Sequence, residues 1–288
     1  APQLGAIYAF MSKAQIHHGR NIIVMPTGTG KTETMLSILI ANQCAKVLVT
    51  VPSDALRDQL ANKFLTLGVL HKFGIVTSDC SYPNVGIVKE GMDYNGWYTL
   101  IEKSNVIITT MPLITNCESE IINLLKENIS HLFVDEAHHS EAKTWSEFID
   151  SFDDEKVTLF TATPFRNDSR RLKGDFIYNF SLKDAQSQGY YKPIKFIPIR
   201  EYDLIQADKH IAEVAVKQLR SDMENGYDHI LMARCSTKQR AKEVMEIYQQ
   251  YSDLNPVMVF SSMPNQKSIL NNIKDKKHKI IVCVNMLG

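Results

Sequence analysis

Short apolar, β-branched runs alternate with longer stretches whose apolar residues recur at helical spacing. Ile22–Met25, Val47–Val51, Val106–Thr109, Leu132–Val134 and Val157–Phe160 read as buried strands. Asp54 to Leu67 and Glu118 to Glu127 read as amphipathic helices between them. Such alternation predicts a parallel sheet with helices on both faces, whose ligands bind at the carboxyl ends of the strands. The rhythm breaks after Thr161-Ala162-Thr163-Pro164. Residues 164 to about 195 carry polar, aromatic and Gly-rich text ending in Gly189-Tyr190-Tyr191-Lys192-Pro193, where the proline stops any helix. Beyond it the alternation resumes through Ile194–Ile199, the helix Asp208–Asn225, Ile230–Ala233, the helix Lys238–Tyr251, Val257–Phe260, the helix Gln266–Ile273 and Lys279–Val284. The reading is an α/β chain in two units, residues 1–188 and 189–288, with the boundary in the 185–195 segment.

The first strand runs into Pro26-Thr27-Gly28-Thr29-Gly30-Lys31-Thr32, and Leu132–Val134 runs into Asp135-Glu136-Ala137-His138. A strand turning sharply into a helix presents free backbone N–H groups at the helix's positive end, and glycines let the main chain approach an anion closely. Thr27, Gly28, Thr29, Gly30, Lys31 and Thr32 are therefore candidates for holding a nucleotide triphosphate. Lys31 would reach the β- and γ-phosphates, and the Thr32 hydroxyl and Asp135 would hold Mg²⁺. Glu136 is the candidate base for the attacking water, with Lys31 and Asp135 completing the catalytic set. The preceding strand and the second acidic strand end supply the context that a lone glycine loop lacks.

Composition narrows the setting. The chain has 288 residues, 44% hydrophobic, enough for one large α/β unit or two smaller domains with real cores. No apolar run reaches the ~18 residues of a membrane span, and the first residues have no signal-peptide pattern. Five cysteines are scattered without a Cys-x-x-Cys pair, which points to a reducing, intracellular (cytoplasmic) setting rather than a disulfide or metal framework. Lys plus Arg and Asp plus Glu number 32 each, so a polyanion would have to be held in a local groove. The basic stretches Arg170–Lys173 and Lys274–Lys279 read as solvated turns or helix ends. Residues Ser78 to Leu100, with Tyr82, Tyr94, Trp97 and Tyr98, read as an interruption whose rings either stack on bases or pack a long loop against its own unit.

The ordered set of motifs resembles superfamily-2 helicases and translocases with a DEAH signature, most closely the motor subunits of type III restriction enzymes, over nearly the whole chain. The resemblance implies two tandem RecA-like lobes with parallel sheets, ATP and Mg²⁺ as cofactors, and a nucleic-acid partner, DNA in preference to RNA. It implies that Gln3 reads adenine, a task suited to an amide, although a surface glutamine is the alternative. It implies that Val51 to Gln59, through Pro52, Ser53 and Arg57, and Thr109-Thr110 contact a nucleic-acid backbone; Ser53 and Thr110 also read as helix caps. Thr161 and Thr163 resemble the motif coupling hydrolysis to strand movement, through a hydrogen bond to His138. Arg234 and Ser236 resemble the grip of the second lobe. Ile280 to Gly288 resembles the opening of a motif that normally continues, so the second lobe reads as incomplete before its arginine finger and the chain as weakly active by itself. The functions implied are an ATP-driven motor within a larger restriction, defence or repair protein, with an appended nuclease or other domain or subunit as a partner; an ATP-controlled nucleic-acid sensor; or a non-motor ATPase.

Overall fold

The computed structural model describes residues 2–14, 19–139, 143–163, 172–192, 194–260 and 263–284. It divides into two compact units, Ala1–Pro193 and Ile194–Gly288. In chain order the first contains α1 (Pro2–Ala14), β1 (Asn21–Val24), α2 (Lys31–Ala41), β2 (Val47–Val51), α3 (Asp54–Thr66), β3 (Val85–Ile87), α4 (Tyr94–Lys103), β4 (Val106–Thr110), α5 (Met111–Thr115), α6 (Ser119–Asn128), β5 (His131–Val134), α7 (Lys143–Asp150), β6 (Val157–Thr161), β7 (Asp175–Asn179) and α8 (Leu182–Ser187). The second contains α9 (Leu204–Glu224), β8 (Leu231–Cys235), α10 (Lys238–Tyr248), β9 (Val257–Val259), α11 (Gln266–Lys274) and β10 (Ile280–Val284).

The seven strands of the first unit form one sheet in the order β3-β4-β2-β5-β6-β1-β7, every pair parallel. β1, β2, β4 and β6 are buried along their whole length, as continuous Val/Ile/Leu runs demand when helices cover both faces. The two-residue period of a strand sends alternate side chains to opposite cores. Ile23, Val47, Val49, Ile108, Phe133 and Phe160 meet α1, α2 and α3, whereas Ile22, Leu48, Ile107, Leu132 and Leu159 meet α4 to α7. Crossover connections return each chain segment to the same end of the sheet, so the turns after β1, β2, β4, β5 and β6 all lie at the carboxyl edge.

Two parts of the sequence reading are corrected here. The 164–195 break contains β7, which pairs with β1, and α8; the first sheet therefore continues past Thr163. Residues 78–100 are not an interruption, because β3 extends the sheet beyond β4 and α4 roofs it. Trp97 is 1% exposed within that roof and unavailable to a base, whereas Tyr82, Tyr94 and Tyr98 are exposed.

The second unit has three parallel strands in the order β8-β10-β9. Ala212, Val216 and Leu219 of α9 and Ala241 and Tyr248 of α10 pack on Ile280 and Val282. Ile194–Ile199, expected as a strand, joins no sheet. Phe196 is 84% exposed, and Pro198 has no N–H to give a ladder, so apolar alternation alone does not recruit this segment.

Candidate nucleotide site

β1 delivers the glycine loop to the carboxyl edge, and Met25 N–H prolongs the ladder by donating to Thr161 O at 2.9 Å. The loop closes on itself. Thr29 donates to Pro26 O from its backbone N–H at 3.1 Å and from its hydroxyl at 2.6 Å. Thr29 is 1% exposed and braces the loop with both its hydroxyl and its main chain, the carbonyl accepting from Gln3. Gly28 and Gly30 have φ of 82° and 93°, conformations in which a side chain is disfavoured. A Cβ on Gly30 would also collide with the carboxamide of Gln3. That carboxamide donates to Thr29 O at 2.9 Å, so Gln3 supports the loop from α1. Lys31 and Thr32 open α2, with Gly30 as its left-handed N-cap.

β5 brings the acidic pair to the same place. Asp135 N–H donates to Thr50 O at 2.9 Å, and Glu136 N–H donates to Asp135 Oδ1 at 3.0 Å; Glu136 itself has φ of 51°. Lys31 Nζ, 8% exposed, pairs with Glu136 Oε1 and lies 3.7 Å from Asp135 Oδ1. Burial pushes the Asp135 carboxyl above its ordinary range, an effect opposed by the neighbouring Lys31 ammonium and reinforced by Glu136. One cation thus serves two carboxylates, and the excess negative charge is what a divalent cation would neutralise.

His138 links this pair to β6. Its Nδ1 lies 3.1 Å from Thr161 Oγ1 and 3.4 Å from Glu136 Oε2. The Thr161 hydroxyl donates to Thr163 O at 2.9 Å and therefore accepts from His138, which assigns the proton to Nδ1. Thr163 N–H also donates to Thr161 Oγ1 at 3.3 Å. His138, Thr161 and Thr163 are thus joined in one network beside the acidic pair.

Thr27, Gly28, Gly30, Lys31, Thr32, Asp135 and Glu136 line one cavity of about 480 Å³. Glu33, Leu56, Gln59, Leu60 and Lys63 complete its wall, and Lys63 Nζ pairs with Glu33 Oε1 at 2.9 Å across α3 and α2. The sequence reading does not find Glu33 or Lys63, and it groups Gln59 with the strand contacts. The available signal is positional: Glu33 follows Thr32 directly, and Gln59 and Lys63 share one face of α3 four residues apart. A larger cavity of about 670 Å³ lies in the second unit beside Phe196, Ile211 and Leu219, with neither a glycine loop nor an acidic strand end.

The remaining candidates are more scattered. Pro52 and Ser53 follow β2 half-buried, and Ser53 occupies the N-cap of α3 without a capping bond from its side chain. Thr110 holds the corresponding place before α5, also without such a bond. Thr109 and Thr110 are 0% and 3% exposed, which keeps their hydroxyls inside; the Thr109 hydroxyl lies 3.4 Å from Thr110 O. With both hydroxyls buried, the backbone is the more accessible group at this strand end. Arg57 pairs with Asp54 at 2.7 Å and Asp58 at 3.0 Å and donates to Val88 O at 3.3 Å. Arg234 and Ser236 are exposed at the carboxyl end of β8. In the Lys274–Lys279 stretch, Lys276 and Lys279 both pair with Asp228. Arg170, Arg171 and the residues 285–288 lie outside the described residues. All five cysteines are free thiols, and among the described residues no helix is long and apolar enough to cross a membrane.

Over 96–97% of its length the chain superposes on two solved structures, each at 14% identity. The helicase Lhr of Mycobacterium smegmatis, solved bound to ssDNA and AMP-PNP, matches with a TM-score of 0.58, the present chain covering 39% of it. The Hef helicase domain of Pyrococcus furiosus matches with a TM-score of 0.52, 85% of it being covered. Among curated proteins none matches the chain. The profile of the type III restriction enzyme res subunit matches residues 1–166, more than half of the sequence and all of the nucleotide site, and the chain belongs to that family.

Proposed function

We propose that this chain is the core of an ATP-dependent nucleic-acid helicase or translocase, in which residues 1–188 form the ATP-binding RecA-like lobe and residues 189–288 contribute to a second. The observation that carries the reading is the convergence of Lys31, Asp135 and Glu136 on one cavity under a glycine loop, with His138 tied to Thr161 on the adjoining strand. The donor set fits a nucleotide and Mg²⁺: two left-handed glycines put no side chain of their own in the cradle, and one lysine faces two carboxylates. Bound Mg²⁺ would neutralise charge on the β- and γ-phosphates.

The residues then divide the work. The N–H groups at the start of α2 and the Lys31 ammonium bind the phosphates, and Thr32 with Asp135 holds the ion. Lys31 exchanges Glu136 for phosphate oxygens, which releases the Glu136 carboxylate to orient a water and accept its proton. His138 donates from Nδ1 to Thr161, so a shift of Glu136 is felt at the end of β6. Pro52, Ser53 and Arg57, the main chain at Thr109-Thr110, and Arg234 with Ser236 supply backbone contacts to a strand, DNA in preference to RNA. Hydroxyls, amides and cations of this type fix a backbone without reading sequence. The free thiols favour an intracellular setting, and family membership favours a restriction or related defence role with further domains or subunits.

The test is ATP hydrolysis with and without single-stranded DNA, duplex DNA or RNA, using Lys31→Ala as the blank. Stimulation by one polymer, lost in the blank, is the expected result and identifies the track. A Lys31-dependent rate that no polymer stimulates would overturn the motor reading and the sensor reading together.

A further inference from the structure

A segment without a role in the reading above borders the phosphate loop on another side. β7 ends beside β1, where Phe180 N–H donates to Val24 O at 2.9 Å. α8 then begins with a capping box between Ser181 and Asp184 and ends at Ser187, and Gly189 just beyond it, with φ of 79°, reverses the chain. Tyr190 N–H seals that turn on Ala185 O at 2.8 Å, and the Tyr190 ring stands edge-on to Phe180 with centroids 5.7 Å apart. These contacts fix the direction of the next residue. Tyr191 packs its ring on the core beneath α1, α2 and α3 and carries its hydroxyl to the loop, 3.5 Å from the point where a Cβ on Gly28 would stand. Apart from Gly28 itself and its two chain neighbours, nothing else among the described residues comes within 4 Å of that point.

Each glycine of the loop therefore has one polar head beside it: the Gln3 carboxamide at Gly30 and the Tyr191 phenol at Gly28. The carboxamide is engaged with Thr29 O, whereas among the described residues no hydrogen bond engages the phenol. A phenol O–H donates well to an anionic oxygen, and a ring already held by packing loses little freedom in doing so.

We propose that Tyr191 is a nucleotide-binding residue whose hydroxyl donates to a phosphate oxygen of the triphosphate held by residues 27–32. The inference rests on the ATP-binding reading above, and its test separates the two. Equilibrium binding of Mg-ATP and Mg-GTP is measured by calorimetry on the 288-residue chain, comparing wild type, Tyr191→Phe and Lys31→Ala. Removing the hydroxyl alone should weaken both nucleotides alike, by about ten- to a hundredfold, the size of a hydrogen bond to a charged acceptor. The thermal midpoint of Tyr191→Phe should equal that of wild type, because the packed ring is retained. Unchanged affinity in Tyr191→Phe, with binding abolished in Lys31→Ala, would overturn this inference and leave the ATP reading standing. A loss confined to ATP would overturn the assignment to a phosphate, and wild-type affinity in Lys31→Ala would overturn the ATP reading itself.

Discussion

The carboxyl edge of the first unit and the carboxyl end of β8 in the second carry the same kind of residue, hydroxyls and cations after a strand, yet their surroundings differ. At the first edge several of the chemical groups are tied to one another. Lys31 is held by two carboxylates, His138 by Thr161, and Gln3 by the loop it supports. At the end of β8, Arg234 and Ser236 are exposed on a sheet of three strands. A site that must stabilise charge during a reaction needs its donors fixed beforehand. A surface that only grips a passing backbone can let its side chains adjust, and its affinity then comes from many small contacts.

This contrast is sharpest in turnover. Glu136→Gln should lower ATP hydrolysis by about 10² to 10⁴-fold while leaving nucleotide binding in place, since a neutral amide cannot take the proton. Steady-state hydrolysis read beside equilibrium binding checks this, and a parallel loss of both would make Glu136 a binding residue instead. The next largest effect is on folding. Trp97→Ala removes a ring 1% exposed between α4 and the sheet and should cost about 3–5 kcal/mol, whereas Phe196→Ala, at 84% exposure, should stay within about 0.5 kcal/mol. Chemical denaturation of the two variants compares them directly; equal costs would mean that Phe196 is buried in solution.

The smallest effect belongs to the second unit alone. Hydrogen bonds from Lys276 and Lys279 draw the Asp228 carboxyl from 3.8 down to about 2. A carboxyl depressed on folding binds its proton more readily when unfolded, so its contribution is complete above the unfolded value and disappears as pH falls through about 2. The Asp228 side chain is 55% exposed, so solvent screens the pair strongly. Asp228→Asn should therefore lower the thermal midpoint at neutral pH by only about a degree, with the difference shrinking in acid. A difference that grew in acid would reverse the assignment.

What the sequence discloses follows from how strongly each segment is specified. Val47–Val51 and Val157–Thr161 are central strands buried on both faces, and their apolar runs announce them. The phosphate loop and the acidic strand end are equally legible, because the bound anion dictates residue type and spacing together. β3 escapes notice because it is three residues long with Gly86 in the middle, where a Cβ would meet Ser104 and Leu100. β7 escapes because it is an edge strand with Asp175 and Asn179 at its ends, and only its pairing with β1 makes it a strand. Ile194–Ile199 errs in the opposite direction, having the alternation without the partner. Tyr191 could not be read from its neighbours, since its approach to Gly28 depends on β7, α8 and the Gly189 turn acting together.

The left-handed backbone at Glu136 has a consequence for how this position can vary. A glutamate there carries a conformational cost of about 1–2 kcal/mol that glycine would not. On the function proposed above, glycine at 136 would relax the turn and remove the proton acceptor in the same stroke. Selection for heat resistance and selection for turnover therefore act on this single codon in opposite directions.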